Sequence, residues 1–125
     1  MTRIMVVDDE KDMALLFQHE FRQEIKRQEI GFHFALSGEE ALSYMETSEA
    51  TDLVLILSDV NMPGINGLEL LKILKDRWIN LPVIIITACD KDYNYEKARE
   101  YQADGFLTKP IDFSELRDII SSYMT

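Results

Sequence analysis

The chain has 125 residues, enough for one domain with a single sizeable core, and its 46% hydrophobic and 29% charged residues place it in the ordinary globular range. A net charge of −10, with no clustered Lys or Arg, argues against direct nucleic-acid binding and for cations or basic protein surfaces as partners. The one cysteine, Cys89, cannot close an internal disulfide, no apolar run approaches the roughly 20 residues of a membrane span, and the N-terminus lacks a secretion signal, so a cytoplasmic setting is expected.

The first element is a strand at 3–7, "RIMVV", which runs directly into Asp8, Asp9 and Glu10. Met13, Phe17, Phe21 and Ile25 recur every four residues after it and predict a helix over about 11–28. A strand at 32–36 follows, then a helix over 38–47 whose start carries Ser37 with Glu40 three residues on, a capping pattern. The third strand, 53–58, and the fourth, 83–86, are apolar on both faces, which predicts a parallel sheet covered by helices on each side. Between them lie a turn-forming run, "VNMPGING", and a helix over 66–76 carrying Leu68, Leu71 and Leu74. A helix at about 91–102 has Tyr93, Lys97 and Tyr101 along one face but few aliphatic anchors, and is expected to be the least firmly packed. The last strand is 104–108, and the last helix, 113–124, begins with Asp112 and Glu115 as a second capping pair. Alternating strands and helices of this kind define an α/β architecture.

In open α/β sheets ligands gather at the carboxyl ends of the strands. Strand one delivers Asp8 and Asp9 there, strand three Asp59, strand four Thr87, and strand five Lys109 followed by Pro110. Facing carboxylates repel by about 4 kcal/mol at 4 Å and an effective dielectric near 20, so a cation must bind or an acid must stay protonated. Mg²⁺ suits such a cluster, because it is hard, takes oxygen ligands and combines one or two carboxylates with a substrate phosphate. With the charge neutralised, one carboxylate could attack phosphorus and form an acyl phosphate while the lysine holds the phosphoryl oxygens. Asp59 is best placed for this, ending the central strand, with Pro63, Gly64 and Gly67 after it expected to leave room for an incoming group.

Four motifs, "VVDDE", "SDVNMPGINGLELL", "IIITA" and "DGFLTKPI", stand in order at fitting spacings over essentially the whole chain. The chain thereby resembles a receiver domain of two-component response regulators. The resemblance implies a single receiver domain, 1–125, with a doubly wound, flavodoxin-like parallel sheet of five strands in the order 2-1-3-4-5 and five helices. It implies that Asp59 is the phosphoacceptor, taking a phosphoryl group from a histidine of a sensor kinase or phosphotransfer protein. Asp9, Asp59 and the backbone carbonyl of Asn61 would ligate Mg²⁺ directly, with Asp8 acting mainly through a water. Lys109, aimed by a cis Lys109–Pro110 bond, would pair with one phosphoryl oxygen, and Thr87 would swing in to another. The aromatic that follows the threonine's movement is Phe106 here, where Tyr is commoner. The surface of the 91–102 helix, the fifth strand and the last helix would rearrange, altering affinity for a downstream protein or an attached output domain; it is also the family's usual homodimer face. Such a domain is a signalling module rather than an enzyme, though it promotes its own phosphotransfer and dephosphorylation.

Each residue also has an ordinary reading: the acids as loop or helix-start charges, Thr87 as a strand-end hydroxyl, Lys109 as a surface lysine, Phe106 as core and Cys89 as a small packing residue. Glu10 is expected to be a helix-start charge, Tyr93, Tyr95 and Tyr101 partly packed helix surface, and His19 and His33 neither ligands nor bases. A nucleotide-binding domain would need glycines in "VVDDEKD", which has none. An aspartyl phosphatase would want an acid at the position of Asn61. The remaining alternative is a receiver-like interaction module that works without phosphorylation, which a missing Asp59, Asp9 or Lys109 would signal; all three are present.

Overall fold

The computed structural model describes residues 1–88 and 92–124, with side chains in the second stretch from Asn94 onward. Cys89 and the Tyr93 side chain lie outside the described residues. Five parallel strands, β1 (Thr2–Val7), β2 (Ile30–Ala35), β3 (Leu53–Asp59), β4 (Val83–Thr87) and β5 (Gly105–Thr108), form one sheet in the order β2-β1-β3-β4-β5. This is the doubly wound order expected. The helices are α1 (Lys11–Glu20), α2 (Arg22–Lys26), α3 (Gly38–Met45), α4 (Gly67–Arg77), α5 (Asp92–Glu100) and α6 (Phe113–Tyr123).

Alternate residues of the central strands feed two separate cores. Met5, Val7, Ile56, Val83 and Ile85 pack toward α3, α4 and α5. Ile4, Val6, Leu55, Leu57, Ile84 and Ile86 pack toward Phe17 and Phe21 on one side of α1–α2 and Leu116 and Ile120 of α6. Burial on both faces is why β3 and β4 read as nearly continuous apolar runs. Among its described side chains, α5 buries only Ala98.

The helix expected over 11–28 is two helices, which raises the count from five to six. It breaks at Phe21, whose φ of −105° and ψ of 20° leave the helical range. At that point the Arg117 guanidinium donates to the Glu20 carbonyl, bonds Glu24 at 3.0 Å and lies 4.6 Å from the Phe21 ring centre. A cation from α6 thus engages a carbonyl at the break, and the apolar period cannot register that contact. Gln28, with φ of 60°, then turns the chain early enough for Ile30 to pair with Thr2, so β2 starts two residues before the expected position.

Capping follows the expected chemistry. Ser37 Oγ accepts from the Glu40 amide at 3.0 Å, and Asp112 accepts from Ser114 and Glu115 at 2.9 and 3.2 Å. The full reciprocal box is at α4, where Asn66 accepts from the Leu68 and Glu69 amides and Glu69 accepts from the Asn66 amide.

Candidate functional site

The strand ends hold the site residues through backbone bonds that extend the ladders beyond the strands. The Asp8 amide donates to the Ala35 carbonyl at 3.0 Å, one rung past β1. Asp59 is the last residue of β3, and the next amide, Val60, donates to the Ile86 carbonyl at 3.1 Å. The Lys109 amide donates to the Thr87 carbonyl at 2.7 Å, one rung past β5. Side chains that repel one another are therefore fixed by main chain rather than by mutual attraction.

One carboxylate oxygen from each of Asp8, Asp9 and Asp59 lies within 4.8 Å of the others. Lys109 Nζ sits among the acids, 3.1 Å from Asp8 Oδ2, 3.5 Å from Asp59 Oδ2 and 3.8 Å from Glu10 Oε1. The second Asp8 oxygen, Oδ1, accepts from the Glu10 amide at 2.9 Å. Asp8 and Asp59 are buried, at 6% and 5% exposure, while Asp9 and Glu10 face solvent.

Burial, followed by the neighbouring Asp8 charge, pushes the Asp59 carboxyl above its ordinary pKa; Lys109 and a backbone hydrogen bond from Asn61 oppose the shift without cancelling it. Burial draws the Lys109 ammonium down, but its hydrogen bond to Asp8 and the charges of Asp59, Asp8 and Glu10 outweigh that and leave it raised. The pocket thus holds more negative than positive charge. Its donors are carboxylate oxygens that converge within bonding reach of one ion, a set that fits a hard divalent cation such as Mg²⁺.

Asp8, Asp9, Asp59 and Lys109 are brought together from strands one, three and five, as the edge reading expected. Thr87 is fully buried at the end of β4, and Asn61 is exposed in the loop after β3. The Lys109–Pro110 bond is cis. Phe106 is half-buried against the α3–α4–α5 core, its ring edge-on to Tyr95 at 5.3 Å. Two features were not foreseen. Glu10, expected only at the helix start, also reaches Lys109. Gly67 packs directly on the main chain of Asp59: a Cβ there would lie 2.0 Å from the Asp59 carbonyl oxygen. The glycine lets the start of α4 close on the backbone of Asp59, a contact that a turn-like run such as "PGING" does not disclose.

Residues 4–121 match the family described as the response regulator receiver domain. The chain belongs to that family. It is 33% identical over 114 residues to the alkaline phosphatase synthesis transcriptional regulatory protein PhoP of Bacillus subtilis, covering 91% of this chain and 45% of that protein. It is also 33% identical over 124 residues to sporulation initiation phosphotransferase F of the same organism, covering 98% of this chain and 93% of the relative. The receiver therefore spans less than half of the first relative and nearly all of the second. Among solved structures, the receiver domain of the Francisella response regulator 1452 aligns with a TM-score of 0.84 at 32% identity, over 98% of this chain and 96% of that one. The Thermotoga maritima response regulator TrrA, in complex with Mg²⁺-BeF, aligns with a TM-score of 0.81 at 28% identity, over 99% of this receiver and 100% of TrrA. Receiver domains are signalling domains of two-component systems that interact with histidine kinases or phosphotransfer proteins and with output domains, and they generally use Mg²⁺ at an acidic pocket. Among the described residues of this receiver, no helix is long and apolar enough to cross a membrane.

Proposed function

We propose that residues 1–125 act as one receiver unit, in the cytoplasm, and that Asp59 accepts a phosphoryl group from a phosphohistidine of a sensor kinase or phosphotransfer protein. The supporting observation is the convergence of Asp8, Asp9 and Asp59 within 4.8 Å of one another, with Lys109 Nζ 3.5 Å from Asp59 Oδ2. An Asp59 carboxylate oxygen attacks phosphorus, a P–O bond forms, the P–N bond breaks, and its electron pair stays on the imidazole, which takes a proton from solvent.

Asp9, Asp59 and the Asn61 backbone carbonyl would hold Mg²⁺, with Asp8 acting through a water. The ion, when bound, supplies charge neutralisation for the acids and the transferring oxygens. Lys109 pairs with a phosphoryl oxygen, and Thr87 donates its hydroxyl to another. The modified side chain carries nearly −2 charge, and this draws Lys109 away from its sharing with Asp8 and Glu10. Phe106, already packed beside the α5 face, follows Thr87 inward and repacks the α5–β5–α6 surface that meets a downstream protein, an attached output domain or a second copy. Hydrolysis of the acyl phosphate in the same pocket returns the resting state. The completeness of the acid and lysine set favours this reading over a phosphorylation-independent module.

The test is incubation with acetyl phosphate and Mg²⁺ followed by intact-mass measurement. A single phosphoryl adduct is expected on the wild type and none on Asp59→Asn. An unmodified wild type, or equal modification of the variant, overturns the proposal.

A further inference from the structure

A groove of about 700 Å³ runs between α4 and α5, starting at Val60 and Asn61 just past Asp59 and extending along the two helices. Its volume falls in the roughly 300–1,000 Å³ range of ligand-binding clefts. Val60, Met62, Leu68 and Ile73 give it an apolar lining, and Lys72, Lys97 and Tyr101 also border it. Lys72 Nζ lies 5.6 Å and Lys97 Nζ 5.8 Å from the centre of the same Tyr101 ring, so ammonium groups from two neighbouring helices both border that ring.

The charges around them are largely committed or displaceable. Glu69, on the rim, has its carboxylate turned back to the Asn66 amide in the capping box. Lys97 pairs with Glu100 at 3.3 Å, yet its side chain remains 34% exposed and Glu100 is 62% exposed, so a docked carboxylate can compete for it. In a chain of net charge −10 a basic pair beside apolar side chains is a local reversal of sign. At physiological salt, charge beyond about 8 Å is screened, so the two ammonium groups govern what can approach the groove.

We propose that the groove between α4 and α5 docks a segment of a partner protein that carries an aliphatic side chain flanked by carboxylates. The aliphatic group fills the space over Met62 and Ile73, and the unbranched thioether of Met62 adapts to its shape. The flanking carboxylates meet Lys72 and Lys97. The rest of the acidic surface repels such a segment and so confines it to this groove. This docking does not require Asp59 to take a phosphoryl group, so the two proposals fail independently.

The experiment pans a random-peptide phage library on the unphosphorylated receiver and measures affinities of the enriched peptides by fluorescence anisotropy, with backbone amide shifts mapping the contact. Enriched peptides should carry at least two acids around an aliphatic residue and shift amides within 60–73 and 94–101. They should bind Lys72→Glu/Lys97→Gln about tenfold or more weakly, at an unchanged melting temperature. Affinity for the wild type should also fall as salt is raised. Enrichment without acidic bias, shifts confined to other faces, equal binding to the double variant, or salt-independent binding each overturns the proposal.

Discussion

Gly67→Ala is a substitution that secondary-structure propensity and tertiary geometry judge with opposite signs. Alanine is favoured over glycine by about 1 kcal/mol within a helix, and Gly67 opens α4 with its amide donating to the Val60 carbonyl at 2.9 Å. A Cβ at this position would lie 2.0 Å from the Asp59 carbonyl oxygen and 2.7 Å from Val60 Cα, both main-chain atoms that no rotamer change can move aside. Ordinary contact begins near 3.4 Å, so the start of α4 must retreat by more than about 1 Å. That movement pulls on the Asn66–Glu69 capping box and on Leu70, Leu71 and Leu74, which are fully buried against the sheet. Overpacking of this kind costs about 1–3 kcal/mol, which exceeds the propensity gain. Net of the propensity gain, a loss of about 1 kcal/mol corresponds to a melting temperature lower by roughly 3–6 °C for a chain of this size. Circular dichroism melts of Gly67→Ala and Gly38→Ala form the assay. Gly38 also opens a helix, but its added Cβ meets the Ile65 side chain at 3.0 Å, so it should lose less. A Gly67→Ala protein that melts at or above the wild type would refute the reasoning. The same variant displaces the main chain of Asp59 and should slow its modification by acetyl phosphate.

Without divalent cation, Asp59→Asn should melt higher than the wild type at neutral pH. Burial and Asp8 raise the native pKa of Asp59 above its unfolded value, so the contribution of the protonated form is lost as pH rises through the native pKa, and Asn removes that loss. Equal or lower stability of the variant at neutral pH would contradict it. Asp9→Asn should weaken Mg²⁺ binding by about tenfold or more in a calorimetric titration, and an unchanged affinity would remove Asp9 from the site. His33, stacked on Tyr44 at 3.7 Å, has its pKa lowered by burial, against the opposing charges of Glu49 and Glu40. A native pKa below the unfolded value makes stability fall as pH drops from about 6.5 through the native value, so the wild type should lose stability relative to His33→Phe over that window. A constant difference in melting temperature between the two proteins would show that His33 does not titrate in this way.

The sheet was legible because its two central strands are apolar on both faces, a pattern that parallel strands covered by helices produce and that few other arrangements share. The strand order, by contrast, follows from the family resemblance, since hydrophobic pattern gives the elements but not their neighbours. The acids and Lys109 were legible as strand-end residues, because each strand delivers its last side chains to one edge. What escaped the sequence depends on contacts across long separations. Arg117 meets Glu20 and Phe21 from α6 and marks the break between α1 and α2, yet the four-residue apolar period runs unbroken through that region. Tyr95 is partly packed helix surface as expected, but the pattern does not name its partner, Phe106 of β5, to which its ring lies edge-on. The need for glycine at 67 lies in the distance to Asp59, not in any local turn preference.

The charge arrangement of the pocket follows from the same division between main chain and side chain. Two unit charges 4.8 Å apart repel by about 3–4 kcal/mol at an effective dielectric near 20, and the Asp8, Asp9 and Asp59 cluster holds three such acids. Lys109 returns attraction of similar size to Asp8 and Asp59 but is one ammonium shared among several carboxylates, Glu10 included. Side-chain electrostatics alone would therefore open the pocket. The ladder bonds from the Asp8, Val60 and Lys109 amides to the Ala35, Ile86 and Thr87 carbonyls hold it closed, and they draw on a sheet whose central strands are buried on both faces. A carboxylate cluster placed one rung past such strands keeps its surplus charge, and on the proposed reading that surplus is what binds Mg²⁺. On the same proposed reading, phosphorylation would act without new architecture. A charge on Asp59 raised toward −2 would change which acid holds Lys109, and Lys109 is bonded through its amide to Thr87, at the end of the strand that pairs with the one bearing Phe106.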